Sequence, residues 1–329
     1  MRSREVRTVR ILCVCVLVLC LIGLGAVVFG KTETSGKKVE QPSSKVMVLN
    51  LENDAQGYKI PAGYRENMTR LAIIRDGRTV FAMEKGPSEN QEDFMEWYLT
   101  EPYETRQLVN VSDLYEFLDH YASWSCLGQV ENVDFQESGL VVEETFSDTG
   151  TVRLMVGQTD EEGNYYVKAD YSGNIYKVEK EQLETMTSLE PKDFMMGIAN
   201  LVYLTTVKQL QITTEKTSAS FDIETDDNNC QIYTLDGRVL EEESFKELYG
   251  KIMEVLINGE AEEKEVETEE PVLSLCFKRN SGSLKDVIIR YFPYDRSHYL
   301  IEKDGHAEFL AEKKQVDELI EEIDRFCGK

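Results

Sequence analysis

The chain has 329 residues, a formal charge of −25 and 41% hydrophobic residues, with aromatics at 9%. That hydrophobic and aromatic content supplies a core and excludes wholesale disorder, while the acidity repels phosphate backbones and argues against nucleic-acid binding. A pI near 4.6 is read first as solubility, with basic proteins or cations as the partners such a surface attracts.

Residues 1–10 carry Arg2, Arg4, Arg7 and Arg10 against a single acid, Glu5. Ile11 to Gly30 is then uncharged over twenty residues, thirteen of them Leu, Ile, Val or Phe. At 1.5 Å rise per residue such a helix spans roughly 30 Å, the thickness of the bilayer hydrocarbon. The basic flank predicts a cytoplasmic N-terminus (1–10), a single transmembrane anchor (11–30) and an extracytoplasmic remainder. A cleaved signal peptide is the rival reading, although the apolar run exceeds the usual length of such a segment. Residues 31–66 read as a polar stalk and a lead-in strand at Val46-Met-Val-Leu-Asn50.

A first α+β unit is predicted over 67–190. Leu71–Ile74 and Thr79–Met83 flank Arg75-Asp-Gly-Arg78, a hairpin with a turn that tolerates positive φ. Trp97-Tyr-Leu-Thr-Glu-Pro102 is a short strand stopped by proline, and Ser112 opens a helix with Leu114, Phe117, Leu118 and Tyr121 on one face. Gly128–Thr151 reads as a loop. Strands Val152–Val156, Tyr165–Asp170 and Ile175–Val178 follow, then a short helix with Leu183 and Met186 inward. Residues 191–206 form an apolar connector. Its Met195, Met196, Ile198, Leu201 and Val202 are expected to pack between the units, with a partner-binding helix as the sharper alternative.

The second unit, 207–329, repeats this order. Leu210–Thr213 and Ala219–Ile223 form a hairpin, and Gln231–Thr234 precedes the turn Asp236-Gly237. Ser244-Phe-Lys-Glu247 has the form of a capping box at the head of a helix bearing Phe245, Leu248, Tyr249 and Ile252. Leu273–Phe277, Val287–Tyr291, His298–Ile301 and a helix with Val316, Leu319, Ile320, Ile323 and Phe326 complete it. Tyr165–Asp170 and Asn174–Glu179 match Asp286–Tyr291 and Ser297–Glu302, so the copies sit roughly 123–131 residues apart. The predicted fold class is therefore α+β: two tandem repeated units of mainly antiparallel sheet with packed helices, preceded by one N-terminal transmembrane helix. The Glu-rich run Gly259–Glu270 reads as a solvated insertion.

No catalytic, cofactor-binding or metal site is predicted. Phosphate-cradling motifs and G-x-S-x-G are absent from the sequence. Glu116 and His120 lie at i, i+4 but read as a surface pair, and His298 and His306 read as strand and turn residues. Asp226-Asp-Asn-Asn229 lacks the spacing of a calcium loop. Asn67-Met-Thr69 and Asn110-Val-Ser112 are glycosylation sequons, relevant only in a eukaryotic secretory pathway. Cys126, Cys230, Cys276 and Cys327 permit two disulfides but read first as free thiols.

The basic head and apolar anchor, the Trp97-x-Leu-x-x-Pro102 element and the pair Tyr165-Tyr-Val…Ile175-Tyr-Lys-Val178 resemble the bacterial domain-of-unknown-function family DUF4340. The resemblance covers residues 70–200 well and the second copy more loosely, since Trp97 has no counterpart there. It implies a single-pass extracytoplasmic protein, with auxiliary components of gliding-motility-type ABC transporters as relatives. Permease and ATPase subunits are then the implied partners. It carries over no catalytic residue. The expected function is a membrane-anchored binding or scaffold protein. A carboxylate-dependent extracytoplasmic hydrolase is the competing reading, and a cell-envelope ligand binder working through exposed Trp97, Tyr98 and Tyr103 is a third.

Overall fold

The computed structural model describes residues 67–122, 126–147, 150–170, 173–225, 231–262 and 270–328, with side chains for all but 119–126, 182 and 185–187. The expected cytoplasmic tail, anchor, stalk and lead-in strand lie outside the described residues, as does Asp226–Asn229. No helix among the described residues is long and apolar enough to cross a membrane. The chain divides into two compact units. One holds residues 67–87 and Met95–Met196; the other holds Gly197–Lys329 together with Ser88–Phe94. The boundary at Met196 falls inside the expected connector.

Each unit is built on one antiparallel sheet of nine strands with few helices. In the N-terminal unit the strands are β1 (Met68–Arg75), β2 (Arg78–Pro87), β3 (Met95–Glu101), β4 (Gln107–Leu108), β5 (Cys126–Val130), β6 (Glu137–Phe146), β7 (Gly150–Thr159), β8 (Tyr165–Ala169) and β9 (Ile175–Val178). Their order across the sheet is β4-β3-β2-β1-β6-β7-β8-β9-β5. Helix α1 (Val111–Ala122) carries the chain from the β4 edge to β5 at the opposite edge, and α2 (Lys180–Thr187) follows β9. In the C-terminal unit come β10 (Val207–Thr214), β11 (Ser218–Thr225), β12 (Gln231–Leu235), β13 (Arg238–Val239), β14 (Ile257–Glu260), β15 (Leu273–Arg279), β16 (Val287–Pro293), β17 (His298–Lys303) and β18 (His306–Glu312). Helices α3 (Glu242–Met253) and α4 (Lys313–Cys327) take the places of α1 and α2. The order β13-β12-β11-β10-β15-β16-β17-β18-β14 is the same permutation.

Local sequence accounts for the hairpins. Asp76-Gly77, Asp236-Gly237 and Asp304-Gly305 all have positive φ at both residues, the conformation whose twist matches the flanking strands. On β15, Leu273, Leu275, Phe277 and Arg279 are buried at every second place, and α3 covers that inner face. Phe245 is fully buried there, stacked on Tyr233 at 4.6 Å and tilted against Phe221 at 5.3 Å. The stripe Phe245, Leu248, Tyr249 and Ile252 is buried as its spacing predicts.

Three local expectations are corrected. The helix α3 begins at Glu242, two residues before Ser244, and its cap Glu241 makes no side-chain capping bond; Ser244 Oγ instead donates to Glu241 Oε2. Glu242 and Glu243 in the first turn suit the positive end of the helix dipole without a capping box. Helix α1 begins at Val111, where the Asn110 side chain accepts the Ser112 N–H. The stretch expected as the loop Gly128–Thr151 contains β6, which pairs with β1 in the middle of the sheet.

That strand changes the alignment of the two copies. Counting from the structure, Tyr165–Ala169 corresponds to His298–Lys303 rather than to Asp286–Tyr291, and Ile175–Val178 corresponds to β18. Atomic detail agrees. Asp170 Oδ1 accepts the Arg153 N–H and its own N–H returns to the Arg153 carbonyl; Asp304 and Ile288 repeat both bonds. Strand β6 in one copy and β18 in the other lack a strand-like sequence pattern, so each copy shows three closing strands in sequence and the sequence match falls one strand out of step. The expectation that Trp97 lacks a counterpart is also corrected, because Tyr233 holds its place: Val109 N–H donates to the Trp97 carbonyl as Leu240 N–H does to Tyr233, each at 2.9 Å. We predict that Phe245→Ala lowers the unfolding free energy by about 3–5 kcal/mol, read from urea denaturation of the purified chain.

Candidate functional site

The register sets equivalent residues side by side. In the N-terminal unit Met68, Leu71 and Ile73 on β1 face Phe146, Glu144 and Val142 on β6. In the C-terminal unit Val207, Leu210 and Ile212 on β10 face Arg279, Phe277 and Leu275 on β15. Both pairs are bulged after their first residue, and the next residue closes the same bond: Ser147 N–H to the Asn67 carbonyl and Asn280 N–H to the Thr206 carbonyl, each 2.9 Å. Each inner face therefore carries one buried charged residue on its sixth or fifteenth strand, Glu144 in one unit and Arg279 in the other, with phenylalanine at the reciprocal place.

The outer face of the N-terminal sheet carries an ionic ladder. Arg70 Nε lies 2.9 Å from Glu84, its Nη1 bonds Glu143 on β6, and Arg153 Nε on β7 bonds the other Glu143 oxygen at 2.7 Å. The hydrogen bond to Glu143, before its charge, raises the Arg153 pKa. In the C-terminal unit the register puts Cys276 in the place of Glu143 and Gln209 in that of Arg70; Gln209 Nε2 donates to Asp222 instead. The ladder belongs to one copy. Its exposed pairs contribute little stability singly, so its value lies in the buried Glu143 holding two guanidiniums across three strands.

In the C-terminal unit the connector residues after Met196 are pinned by a buried polar network. Asn200, fully buried, donates Nδ2 to the Ile252 carbonyl at 2.9 Å and accepts the Tyr291 hydroxyl at 2.7 Å. Tyr249 OH donates to the Val202 carbonyl at 2.8 Å. Burial pushes both phenols far above their ordinary range, so each stays a donor. Residues expected between the units are thus divided: Phe194 packs on Phe81 and Phe117 in the N-terminal unit, while Asn200 and Val202 belong to the C-terminal one.

The candidate residues from sequence fall as follows. His298 Nδ1 lies 3.0 Å from Asp295 Oδ2, and that bond is the largest cause holding the Asp295 carboxyl below its usual range. His306 opens β18 and is exposed, correcting the turn reading. Glu116 is exposed on α1, and the side chain of His120 is not among those described. No group of metal-ligating side chains occurs among the described residues. Cys276 and Cys327 are free thiols, with Cys327 pushed up to about 11 chiefly by burial. Cys126 and Cys230 lie outside the described side chains.

Trp97, Tyr98 and Tyr103 are all buried, Trp97 at 3% exposure. The aromatic surface proposed for envelope ligands is therefore not formed by these residues, and the Arg106 guanidinium lies over the Tyr98 ring at 4.2 Å. The carboxyls Glu92, Asp160, Asp286 and Asp295 are all held below their usual range, the direction opposite to that of a general acid. Asp160 is lowest, at about 2, because Lys177 bonds one oxygen while Asn164 and Glu162 N–H groups donate to the other at 2.9 Å. No family model, no curated protein and no solved structure matches this chain.

Two outcomes follow. Asn200→Ala strands the Ile252 carbonyl and the Tyr291 hydroxyl, each worth about 1–3 kcal/mol, and shows as a lower urea midpoint with an unchanged m-value. A depressed folded-state pKa at Asp160 gives stability that is present above its ordinary 3.8 and is lost as pH falls through about 2. Asp160→Asn should flatten the dependence of the thermal midpoint on pH in that window, leaving the slope at higher pH as it was.

Proposed function

We propose that this chain is a membrane-anchored, extracytoplasmic scaffold or binding protein, with residues 11–30 as its single-pass anchor. The observation that carries the reading is the uncharged twenty-residue run Ile11–Gly30 behind four arginines, which matches bilayer thickness and the positive-inside bias. On this reading the two nine-stranded sheets are a tandem duplication of one α+β unit. Their shared strand order, shared bulges and shared turn bonds support descent from one ancestor. The chain is a DUF4340-like protein, and ABC-type permease and ATPase subunits are its partner class. No nucleic acid and no cofactor enters this reading.

The carboxyls of the described residues support binding over catalysis. Carboxyls with displaced pKa values are tuned downward into ion pairs and turn bonds, and the polar clusters join strands to one another. A carboxylate hydrolase needs one acid raised toward neutral pH.

An alkaline-phosphatase fusion at the C-terminus should be active outside the cytoplasm, and the chain should resist carbonate extraction from membranes. Under mild detergent it should co-purify with ABC-type permease and ATPase subunits. Recovery as a lone monomer would remove the partner assignment, and an inactive fusion would remove the topology.

A further inference from the structure

Arg279 lies on the inner face of β15 in line with Leu273, Leu275 and Phe277 and is only 2% exposed. The other unit places Phe146 at the same register position, 4% exposed. The sheet accepts an aromatic ring there, so the architecture does not require a charge. A buried guanidinium is the costlier choice, and burial lowers the Arg279 pKa. A costly residue where the sister copy uses an apolar one marks a position kept for something other than folding.

Its bonds show what it holds. Nη2 donates to the Glu89 carbonyl at 2.6 Å, while Nε and Nη1 are buried with no acceptor among the described residues. Glu89 belongs to Ser88–Phe94, which leaves β2 and returns to β3 yet packs as part of the C-terminal unit. The segment is a self-bonded turn: Ser88 N–H donates to the Phe94 carbonyl at 2.8 Å, and Ser88 Oγ accepts from Asn90 and Gln91 N–H at 2.9 Å each. It carries Glu89, Glu92 and Asp93 and no basic residue. The hydroxyls of Ser281 and Ser283 both donate to Glu92 Oε1, and Lys303 Nζ stands 3.7 Å from Glu89 Oε2. Those serine bonds hold the Glu92 carboxyl below its usual range.

We propose that Arg279, Ser281, Ser283 and Lys303 form a receptor site for acidic peptide, filled here by the chain's own Ser88–Phe94 and open to an acidic segment of a partner protein that displaces it. The outer bonds, through Glu92 and the two serines, are exposed and exchangeable. The inner one gives a cation only a neutral carbonyl, where a carboxylate would offer the guanidinium two charge-assisted bonds. The cis segment holds the advantage of a tethered ligand, so a free competitor has to reach millimolar concentration. The scaffold reading supplies only the partner; the site itself is tested on the purified chain alone.

Hydrogen exchange over residues 88–94 of the full chain reads occupancy directly. Arg279→Phe, the sister copy's residue, should keep the native circular dichroism and speed exchange of that segment about tenfold. Ser281→Ala with Ser283→Ala, the first half-buried and the second exposed, should do the same by releasing Glu92. The synthetic peptide Ser-Glu-Asn-Gln-Glu-Asp-Phe, blocked at both ends and present at about 5 mM, should speed exchange of the chain's own segment; the peptide with glutamine for both glutamates should not. Unchanged exchange in the serine variant, or in a folded Arg279→Phe, overturns the site. Release in the variants without competition by the acidic peptide makes the segment a fixed strap and overturns the receptor. None of these readouts depends on the membrane or on an ABC-type partner.

Discussion

Each sheet depends on one non-local pairing, β1 with β6 in the N-terminal unit and β10 with β15 in the C-terminal one. Every other neighbour pair but the edge strand's is made between consecutive strands through a hairpin, which closes cheaply. The central pairing has to wait until the chain has passed through β4, the crossover helix and β5. It alone joins the β1–β4 meander to the β6–β9 meander, and it decides which side chains of the closing strands face inward. A one-residue slip there would turn Leu275 and Phe277 to solvent and Cys276 to the core. The bulge after Met68 and after Val207, with the bonds from Ser147 and Asn280, holds the register at the strand ends.

With that pairing fixed, the two copies keep backbone geometry more closely than side-chain chemistry. Trp97 and Tyr233 occupy one place and both are buried, the second stacked on Phe245. On the outer face the Arg70–Glu143–Arg153 ladder has become Gln209 and Cys276. On the inner face Glu144 and Phe146 have become Phe277 and Arg279. Antiparallel pairing uses only main-chain groups, so it survives such exchanges, and the exchanged positions are where the copies are free to acquire separate roles.

Much of the fold was legible in the chain. The Asp-Gly turns announced hairpins because few other residue pairs tolerate positive φ twice, and the helix stripe Phe245, Leu248, Tyr249 and Ile252 announced its buried face. Strand β6 was not legible: Glu137, Glu143 and Glu144 interrupt its apolar residues, and Glu143 is tolerable only because arginines from β1 and β7 meet it. Strand β18 was hidden in the same way by Glu308, buried between Ala307 and Phe309. Both strands take a polar residue inward or half-inward, which breaks the alternation that marks a strand. Nothing local in the acidic segment Ser88–Phe94 names Arg279 as its partner.

Composition, the charge-free run at residues 11–30, the turn dipeptides and the helical stripes are local properties, and the amino-acid sequence by itself determined them: an acidic, sheet-rich, repeated chain with an apolar N-terminal segment. Which strands lie side by side, which copy of a strand matches which, and where a buried arginine stands in place of a phenylalanine were decided only in three dimensions. The physical reason is that strand neighbours are chosen by main-chain hydrogen bonds between distant segments, and those bonds leave no mark on residue type.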